Sequence, residues 1–337
     1  SHNSSGYRTV DRFKMTAGGA NNTLTQAQVD VDSGTSPYVR GFRKAYKFIN
    51  AGQNANNQGY VYMLYQIEAQ DIATSGWRYM YSSGGDDYIT LSFWVKASVA
   101  QNYLFFIHTS DGTVKEWSHL RSLSANSWTK VELSIPGDSG ITINNDTGVG
   151  LNLYFVPYLG DHYTSGSTVD QWVNHAGYTS RPDMPSGWWT TSNATFEVTG
   201  VQLEVGEQAT PFEHRSHAEQ LQRCRRYYQV LVDQAGGSSQ KSFAIACAYS
   251  SGSMHSTHLL SPEMRTVPTL DYTTGTDYYR AFSNGSADPF NDFTLVGNSH
   301  PHAVDLAVFS NLSVTSGSAV LVRTYNSAAR VAFTAEF

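Results

Sequence analysis

Apolar and polar residues alternate along most of the first part of the chain, which is the pattern of β-strands with one buried face. In Ile89 to Lys96 the residues expected to point inward are Ile89, Leu91, Phe93 and Val95. The same alternation occurs in Thr129 to Ile135 and in Leu151 to Tyr158. Tyr60 to Glu68 is apolar on both faces, as expected where one face meets the core and the other meets loops. No helical period interrupts these segments over roughly 190 residues, so the pattern predicts an antiparallel sandwich, most simply a jelly roll.

A long strand and a helix are predicted where this first region ends. The buried positions of the strand slip by one residue at Gly200, because they are Phe196 and Val198 before it and Val201, Leu203 and Val205 after it. Such a slip at a glycine predicts a β-bulge. Ser216 to Glu219 then forms a capping box, which favours a helix start. Leu221, Cys224 and Tyr228 would form its apolar stripe, over roughly three to four turns.

Strand patterns return after the helix and indicate a second, smaller β domain of about 100 residues. In its first strand Phe243, Ile245, Cys247 and Tyr249 alternate with three alanines. We expect the alanine face to be approached closely, by the helix or by a neighbouring chain. The predicted fold is therefore all-β, with a jelly-roll sandwich over 1–212, a short connecting α-helix within 213–232 and a C-terminal β domain over 233–337.

Three segments resemble bacteriophage tail-fibre and related virion fibre proteins. The first is G-V-Q-L-E-x-G at 200–206, followed by A-T-P-F-E-x-R-S at 209–216 and a helix ending in Arg-Arg-Tyr-Tyr. The second is P-x-M-R-x-x-P-T at 262–269. The third is the closing strand, Val331 to Phe337. The resemblance extends from about Tyr7 to the end. The segments F-W-V-K-A-S at 93–98 and Trp128 to Lys130 are also similar to jelly rolls of carbohydrate-binding modules. The resemblance implies a homotrimer that contacts other virion proteins.

Composition limits the classes of partner. Only 15% of the 337 residues are charged, against roughly a quarter in average globular proteins. The net charge of −6 argues against a nucleic-acid partner, which normally requires a basic surface. No apolar run is long enough to predict membrane insertion, and no signal peptide is recognised. The sequence begins at Ser1 without methionine, which is consistent with a fragment or a processed product. The two cysteines, Cys224 and Cys247, are predicted to be reduced core residues.

Motifs for catalysis were sought and not found. The sequence contains no G-x-S-x-G, H-E-x-x-H or P-loop, and its acidic residues show no diagnostic spacing. We therefore expect no enzymatic activity and no cofactor. His300 and His302 are weak metal candidates, since three symmetric chains would bring six imidazoles together. The intervening Pro301 and the loop setting favour ordinary surface histidines instead.

Aromatic residues in irregular segments are the candidates for carbohydrate or receptor binding. The stretch from Gly160 to Thr195 is the longest irregular segment and also contains Tyr163 and Tyr178. Long loops are often functional, although a packed cluster under the loop is the alternative. Sugars stack on aromatic faces while amides and carboxylates bond their hydroxyls. The candidates are Trp172, Trp188, Trp189, Tyr278 and Tyr279.

The function expected from these observations is a non-catalytic tail-fibre subunit on the exterior of a phage particle, assembled in the host cytoplasm. It would recognise a glycan on the host surface. A purely structural virion component, such as a head fibre or an adaptor, is the alternative that the sequence does not separate from it. A polysaccharide depolymerase is a second alternative.

Overall fold

The computed structural model describes residues 2–165, 169–177, 180–237 and 240–337. The protein is all-β, with 47% of residues in strands and 9% in helices, which confirms the predicted fold class. It divides into two compact units, Ser1–His214 and Arg215–Phe337. Within the described ranges, no helix is long and apolar enough to cross a lipid bilayer.

In the residues of the first unit that the structure describes, there are twelve strands and three short helices. The strands are β1 (Gly6–Tyr7), β2 (Phe13–Gly18), β3 (Leu24–Asp30), β4 (Lys44–Asn50), β5 (Tyr60–Glu68), β6 (Tyr88–Ala97), β7 (Gln101–Thr109), β8 (Lys115–Leu123), β9 (Thr129–Pro136), β10 (Val149–Leu159), β11 (Trp172–Asn174) and β12 (Ala194–Val205). The helices are α1 (Ser36–Val39), α2 (Ala69–Ala73) and α3 (Gly187–Thr190), with single 3-10 turns at Gly85–Asp87 and Asp161–Tyr163.

These strands form two antiparallel sheets that face each other. Sheet A has the order β3-β4-β12-β6-β9, and sheet B has the order β1-β2-β5-β10-β7-β8-β11. The chain crosses from one sheet to the other between β5 and β6, β6 and β7, and β9 and β10, as in a jelly roll. Alternate residues of both sheets meet in the core, where the ring of Phe93 lies 4.8 Å from Phe105 and 4.9 Å from Phe155. The predicted sandwich and the inward set of β6 are confirmed.

The predicted bulge is present in β12. The pairing of β12 with β6 shifts register between Thr199 and Gln202. Gly200 has φ +62° at this point, a conformation that costs other residues about 1 kcal/mol or more. The glycine therefore allows the strand to change its buried face.

The described part of the second unit starts with one helix and continues with ten strands. The helix is α4 (His217–Arg225). The strands are β13 (Tyr228–Asp233), β14 (Ser242–Ser250), β15 (Ser253–Leu259), β16 (Thr269–Tyr272), β17 (Tyr279–Ser283), β18 (Ser286–Phe290), β19 (Thr294–Leu295), β20 (Ala303–Val308), β21 (Ala319–Thr324) and β22 (Arg330–Thr334). Sheet C has the order β13-β22-β16, and sheet D has the order β18-β17-β21-β14-β15-β20-β19.

The helix α4 is shorter than predicted. Its start is as expected, since the Ser216 hydroxyl accepts a hydrogen bond from the Glu219 backbone N–H at 3.2 Å. The helix has only nine residues, none of them buried, and Leu221 remains 41% exposed. Tyr228 does not extend its stripe, because it pairs with Thr334 as the first residue of β13. Strand pairing provides backbone hydrogen bonds and places Val232 in the core, which a solvated helix would not do.

The strand β14 turns its small side chains toward the core and its large apolar side chains outward, the reverse of what side-chain size would favour. Its three alanines, Ala244, Ala246 and Ala248, face the core of the second unit, where the large rings come from Tyr279, Phe290 and Phe293. Ile245 and Tyr249 point outward and are 77% and 79% exposed. Cys247 is exposed and Cys224 is only partly buried, so the prediction that both are core residues is wrong.

Candidate functional site

A row of aromatic rings crosses the outside of sheet B. Because strand residues alternate, β5 places Val61 and Met63 in the core and turns its even-numbered residues outward. Strands β7 and β10 behave in the same way. Here the partly exposed rings of Tyr60, Tyr62, Tyr154 and Tyr163 pack against a buried cluster of Leu104, Phe106, Val156, Leu159 and Met184. We name Tyr60, Tyr62, Phe106, Tyr154 and Tyr163 the outer aromatic face. The sequence pattern of β5, apolar on both faces, already indicated that its outer side is covered by loops.

The rings of the outer aromatic face contact one another in sequence. Tyr60 stacks on Tyr62 at 5.9 Å, and Tyr62 meets Tyr154 edge-on at 5.2 Å. Tyr154 stacks on Phe106 at 4.0 Å. Phe106 is buried, whereas the tyrosines are partly exposed. Burial raises the pKa of the Tyr62 and Tyr154 hydroxyls above the usual value, so both remain protonated at neutral pH.

Amide side chains border the rings. The Tyr7 hydroxyl donates to Gln66 Oε1 at 3.2 Å, and Gln66 Nε2 donates to Asn152 Oδ1 at 3.0 Å. Asn152 Nδ2 in turn donates to Ser110 Oγ at 2.8 Å. These bonds orient the amides across β5, β10 and the end of β7. Rings beside oriented amides are the residue types that line carbohydrate sites.

A buried ionic cluster lies beside Phe106. The Glu116 carboxylate, on β8, is fully buried, and Arg181 contacts its Oε2 through Nε at 3.0 Å and Nη2 at 2.9 Å. The Arg181 guanidinium also covers the Phe106 ring, with its Cζ 4.5 Å from the centroid. His175 Nδ1 lies 3.3 Å from Glu116 Oε2, and the His175 ring lies 4.5 Å from that of His108. We name Glu116, Arg181, His108 and His175 the Glu116 cluster.

Neither the outer aromatic face nor the Glu116 cluster was predicted from the sequence. Glu116 and Arg181 are 65 positions apart, and no local motif links them. The signals that were present were the two-sided apolar pattern of β5 and the length of the irregular segment after Gly160. That segment supplies Tyr163, His175 and Arg181; Tyr178 lies outside the described residues.

The structure places Trp188 and Trp189 in the core. Both side chains are 0% exposed and belong to α3. Their Nε1 atoms donate to the carbonyls of Thr195 and Asn54, each at 3.0 Å. A fully buried ring has no face for a sugar, so these two assignments are corrected to packing residues.

Tyr279 is corrected for the same reason. It is 0% exposed, and its hydroxyl lies within hydrogen-bond distance of the carbonyl oxygens of Thr273 at 2.6 Å and Arg330 at 2.9 Å, so its one proton has two neighbouring acceptors. Trp172 and Tyr278 are partly exposed, and their role in binding stays a prediction. Trp172 lies on β11 at the edge of sheet B, where its Nε1 donates to the Pro136 carbonyl at 2.5 Å.

The candidate metal pair of the second unit lies on a turn. His300 and His302 are exposed, with ring centroids 6.0 Å apart. His302 Nε2 lies 3.3 Å from the exposed Glu263 carboxylate. This arrangement is that of surface histidines.

Comparisons with known proteins give likenesses of fold only. No protein-family model matches the sequence, and no curated protein matches it. Among solved structures, the chain resembles the enzymatically active domain of bacteriophage CBA120 tailspike protein 4, with 10% identity, a TM-score of 0.31 and coverage of 58% of this chain and 19% of that one. It also resembles the family 11 carbohydrate-binding module of the Clostridium thermocellum cellulase Lic26A-Cel5E, with 13% identity, a TM-score of 0.30 and coverage of 61% and 98%. The chain thus spans about a fifth of the tailspike structure, and both TM-scores are too low to carry an argument about function.

Proposed function

We propose that this chain is a non-catalytic virion fibre subunit of a bacteriophage and that it attaches to glycans on the host surface through its outer aromatic face. The observation that carries the proposal is the row of partly exposed tyrosines bordered by the Gln66 and Asn152 amides. The motifs at 200–216 and 262–269, which resemble those of phage fibres, support the virion setting. The particle exterior is the location that this function requires.

The outer aromatic face has the chemistry that sugar binding needs. The apolar C–H face of a pyranose would stack on the exposed part of the Tyr62 ring, and its hydroxyls would bond the partly exposed Gln66 amide and the tyrosine hydroxyls. The tyrosines Tyr62 and Tyr154 lie on paired strands of one sheet, so little conformational entropy is lost when a ligand orders them. A catalytic role is not part of the proposal.

The motif at 200–216 has a structural role, because its polar residues bond one another and the neighbouring backbone. Its Glu204 carboxylate accepts hydrogen bonds from the Thr210 backbone N–H at 2.9 Å and hydroxyl at 2.6 Å. Gln202 Nε2 donates to Glu204 at 3.0 Å, and Gln202 Oε1 accepts from the Glu213 backbone N–H at 2.8 Å. The polar residues of the motif therefore hold the segment after β12 against that strand.

We further propose that copies of this chain associate as a homotrimer through the outward side of sheet D. That side presents bulky apolar residues where a soluble monomer would expose polar ones. Ile245, Tyr249 and Leu259 are exposed there, and Leu321 and Phe282 are partly exposed beside them. Positive and negative charges lie toward opposite edges of sheet D. Arg280 and Arg323 are on β17 and β21, and Asp305 is on β20. A head-to-tail contact between copies would bring opposite charges together while covering the apolar centre.

Competition for host adsorption tests the attachment function. Purified protein should bind host cells, block adsorption of the phage and select particular sugars on a glycan array. Tyr62→Ala should weaken this binding at least tenfold, whereas Tyr81→Ala, at a ring 56% exposed outside the outer aromatic face, should not. Thermal melting of each variant shows whether it is folded, and Gln66→Ala provides a second, smaller change at the same face.

The outcomes separate the three functions considered. Binding that is lost in Tyr62→Ala and Gln66→Ala supports attachment through this face. No binding to host cells or sugars by the wild-type protein would indicate a purely structural virion component. Release of reducing sugar from host polysaccharide would indicate a depolymerase.

A further inference from the structure

We propose that His108, Glu116 and His175 bind a divalent transition-metal ion, with Zn²⁺ as the best match to their chemistry. This site is distinct from the exposed pair His300 and His302. It does not depend on the glycan-binding function.

The three side chains converge from separate elements. His108 is on β7, Glu116 is on β8 and His175 follows β11, so adjacent strands of sheet B bring them to one place. One ligand atom from each residue lies within 4.8 Å of the others, and His175 Nδ1 is already 3.3 Å from Glu116 Oε2. Ligands about 2.0–2.2 Å from a tetrahedral zinc are roughly 3.3 Å apart. The third ligand atom therefore needs to move inward by about 1.5 Å at most.

His108 contributes an atom that needs a partner. Its Nε2 is buried and makes no hydrogen bond with any residue in the described part of the chain. Buried polar atoms are nearly always satisfied by protein, water or an ion. The rings of His108 and His175 are inclined at 75°, so they converge edge to face and do not stack. An ion between them would satisfy the unpaired nitrogen.

The surroundings of Glu116 hold its carboxylate in place. Ser118 and Ser180 donate to Oε1 at 3.4 Å and 3.2 Å, and Arg181 donates to Oε2. Metal-binding carboxylates are commonly oriented by such hydrogen bonds. Arg181 also offsets the charge of Glu116, so we expect weaker binding than at a site with an uncompensated carboxylate. The ion would be taken on the side of the carboxylate that faces the histidines.

The donor set selects the class of metal. Two imidazole nitrogens and one carboxylate oxygen suit Zn²⁺, Co²⁺ or Ni²⁺, whereas Ca²⁺ and Mg²⁺ prefer oxygen ligands throughout. Three protein ligands leave a fourth position for water or another donor.

Titration of metal-free protein tests this site. Zn²⁺ added to the chelator-treated full chain should bind and raise the melting temperature of the first unit. His108→Ala and His175→Ala should each weaken that binding at least tenfold. His119→Ala is the control, because His119 lies on the same strand as Glu116 but pairs with Asp170 at 2.7 Å. Calcium should not compete.

A second experiment locates the ion in the wild-type protein, so its result does not depend on whether the variants fold. Anomalous scattering from zinc-soaked crystals should place one ion among His108, Glu116 and His175. Absence of zinc binding, or an ion found only elsewhere, such as at His300 and His302, would overturn the proposal.

Discussion

Gly200 lies directly under the ring of Phe42, and a Cβ atom added to Gly200 would be 2.6 Å from Phe42 Cζ. That ring packs edge-on against Phe212 at 4.8 Å, a contact that it would have to change in order to move away. The bulge in β12 thus needs glycine for two reasons, its positive φ and the close approach of an aromatic ring.

Gly200→Ala should lower the free energy of unfolding of the first unit by about 2–4 kcal/mol, from left-handed strain and overpacking together. Chemical denaturation measures this. Gly34→Ala is the matched control, since Gly34 has φ +83° but no atom within 4 Å of an added Cβ. It should cost only the conformational part, about 1 kcal/mol. Equal losses of unfolding free energy in the two variants would show that the Phe42 ring moves aside without cost.

Arg181→Met should destabilise the first unit by about 3–5 kcal/mol, because it leaves the fully buried Glu116 carboxylate without its cation. Adding Glu116→Gln should recover part of the loss, since the uncompensated charge is removed. The control is Lys44→Met, which breaks the exposed pair with Asp30 and should cost less than about 1 kcal/mol. If Arg181→Met lost as little stability as Lys44→Met, the Glu116–Arg181 pair would not behave as a buried ion pair.

Trp188→Ala and Trp189→Ala should each cost about 3–5 kcal/mol, because each leaves a cavity and removes the hydrogen bond that the indole N–H donates. Met80→Ala, at a side chain 52% exposed, should change the stability little. Urea denaturation of the three variants distinguishes packing from surface positions. Stable tryptophan variants that no longer adsorb to host cells would restore the earlier assignment to a binding surface.

Glu204 should make the stability of the first unit depend on pH. Burial alone would raise the pKa of its carboxyl, but hydrogen bonds from Thr210 and Gln202 outweigh this and hold the pKa below the ordinary value of 4.5. The unfolded chain therefore binds this proton at higher pH than the folded one does. The stabilisation is complete above the unfolded pKa and is lost as pH falls through the folded pKa.

Glu204→Gln should accordingly flatten the decline in melting temperature between about pH 5 and pH 3. Glu207→Gln, at an exposed position, should leave the slope unchanged. Parallel slopes in wild type and Glu204→Gln would show that this carboxyl does not contribute.

Light scattering should give the wild-type protein about three times the 37.1 kDa mass of the chain. Ile245→Glu and Leu259→Glu place charges on side chains that are 77% and 85% exposed on sheet D, so they should yield a folded monomer. Val39→Glu, at an equally exposed residue of the first unit, should leave the assembly intact. A wild-type monomer at micromolar concentration would refute the homotrimer.

The sequence by itself determined the local features of this protein. Alternation predicted β6 and β9 of sheet A and β10 of sheet B, because a strand that buries one face must repeat every second residue. The slip at Gly200 predicted the bulge, and Ser216 with Glu219 predicted the start of α4. Each of these depends on residues that are near one another in the chain.

Only the tertiary structure decided which alternating face is the core and which side chains meet. In β14 the alanines turn inward because the large rings of Tyr279, Phe290 and Phe293 already fill the centre of the second unit. The outer aromatic face and the Glu116 cluster require β5, β10, β7 and β8 to be neighbours in sheet B. Strand order joins residues that are far apart in sequence, and the alternation within a strand is the same whichever neighbour it has. The burial of Trp188 and Trp189 could not be predicted from the sequence for the same reason. An aromatic residue in an irregular segment packs inward or outward according to the space that distant strands leave for it.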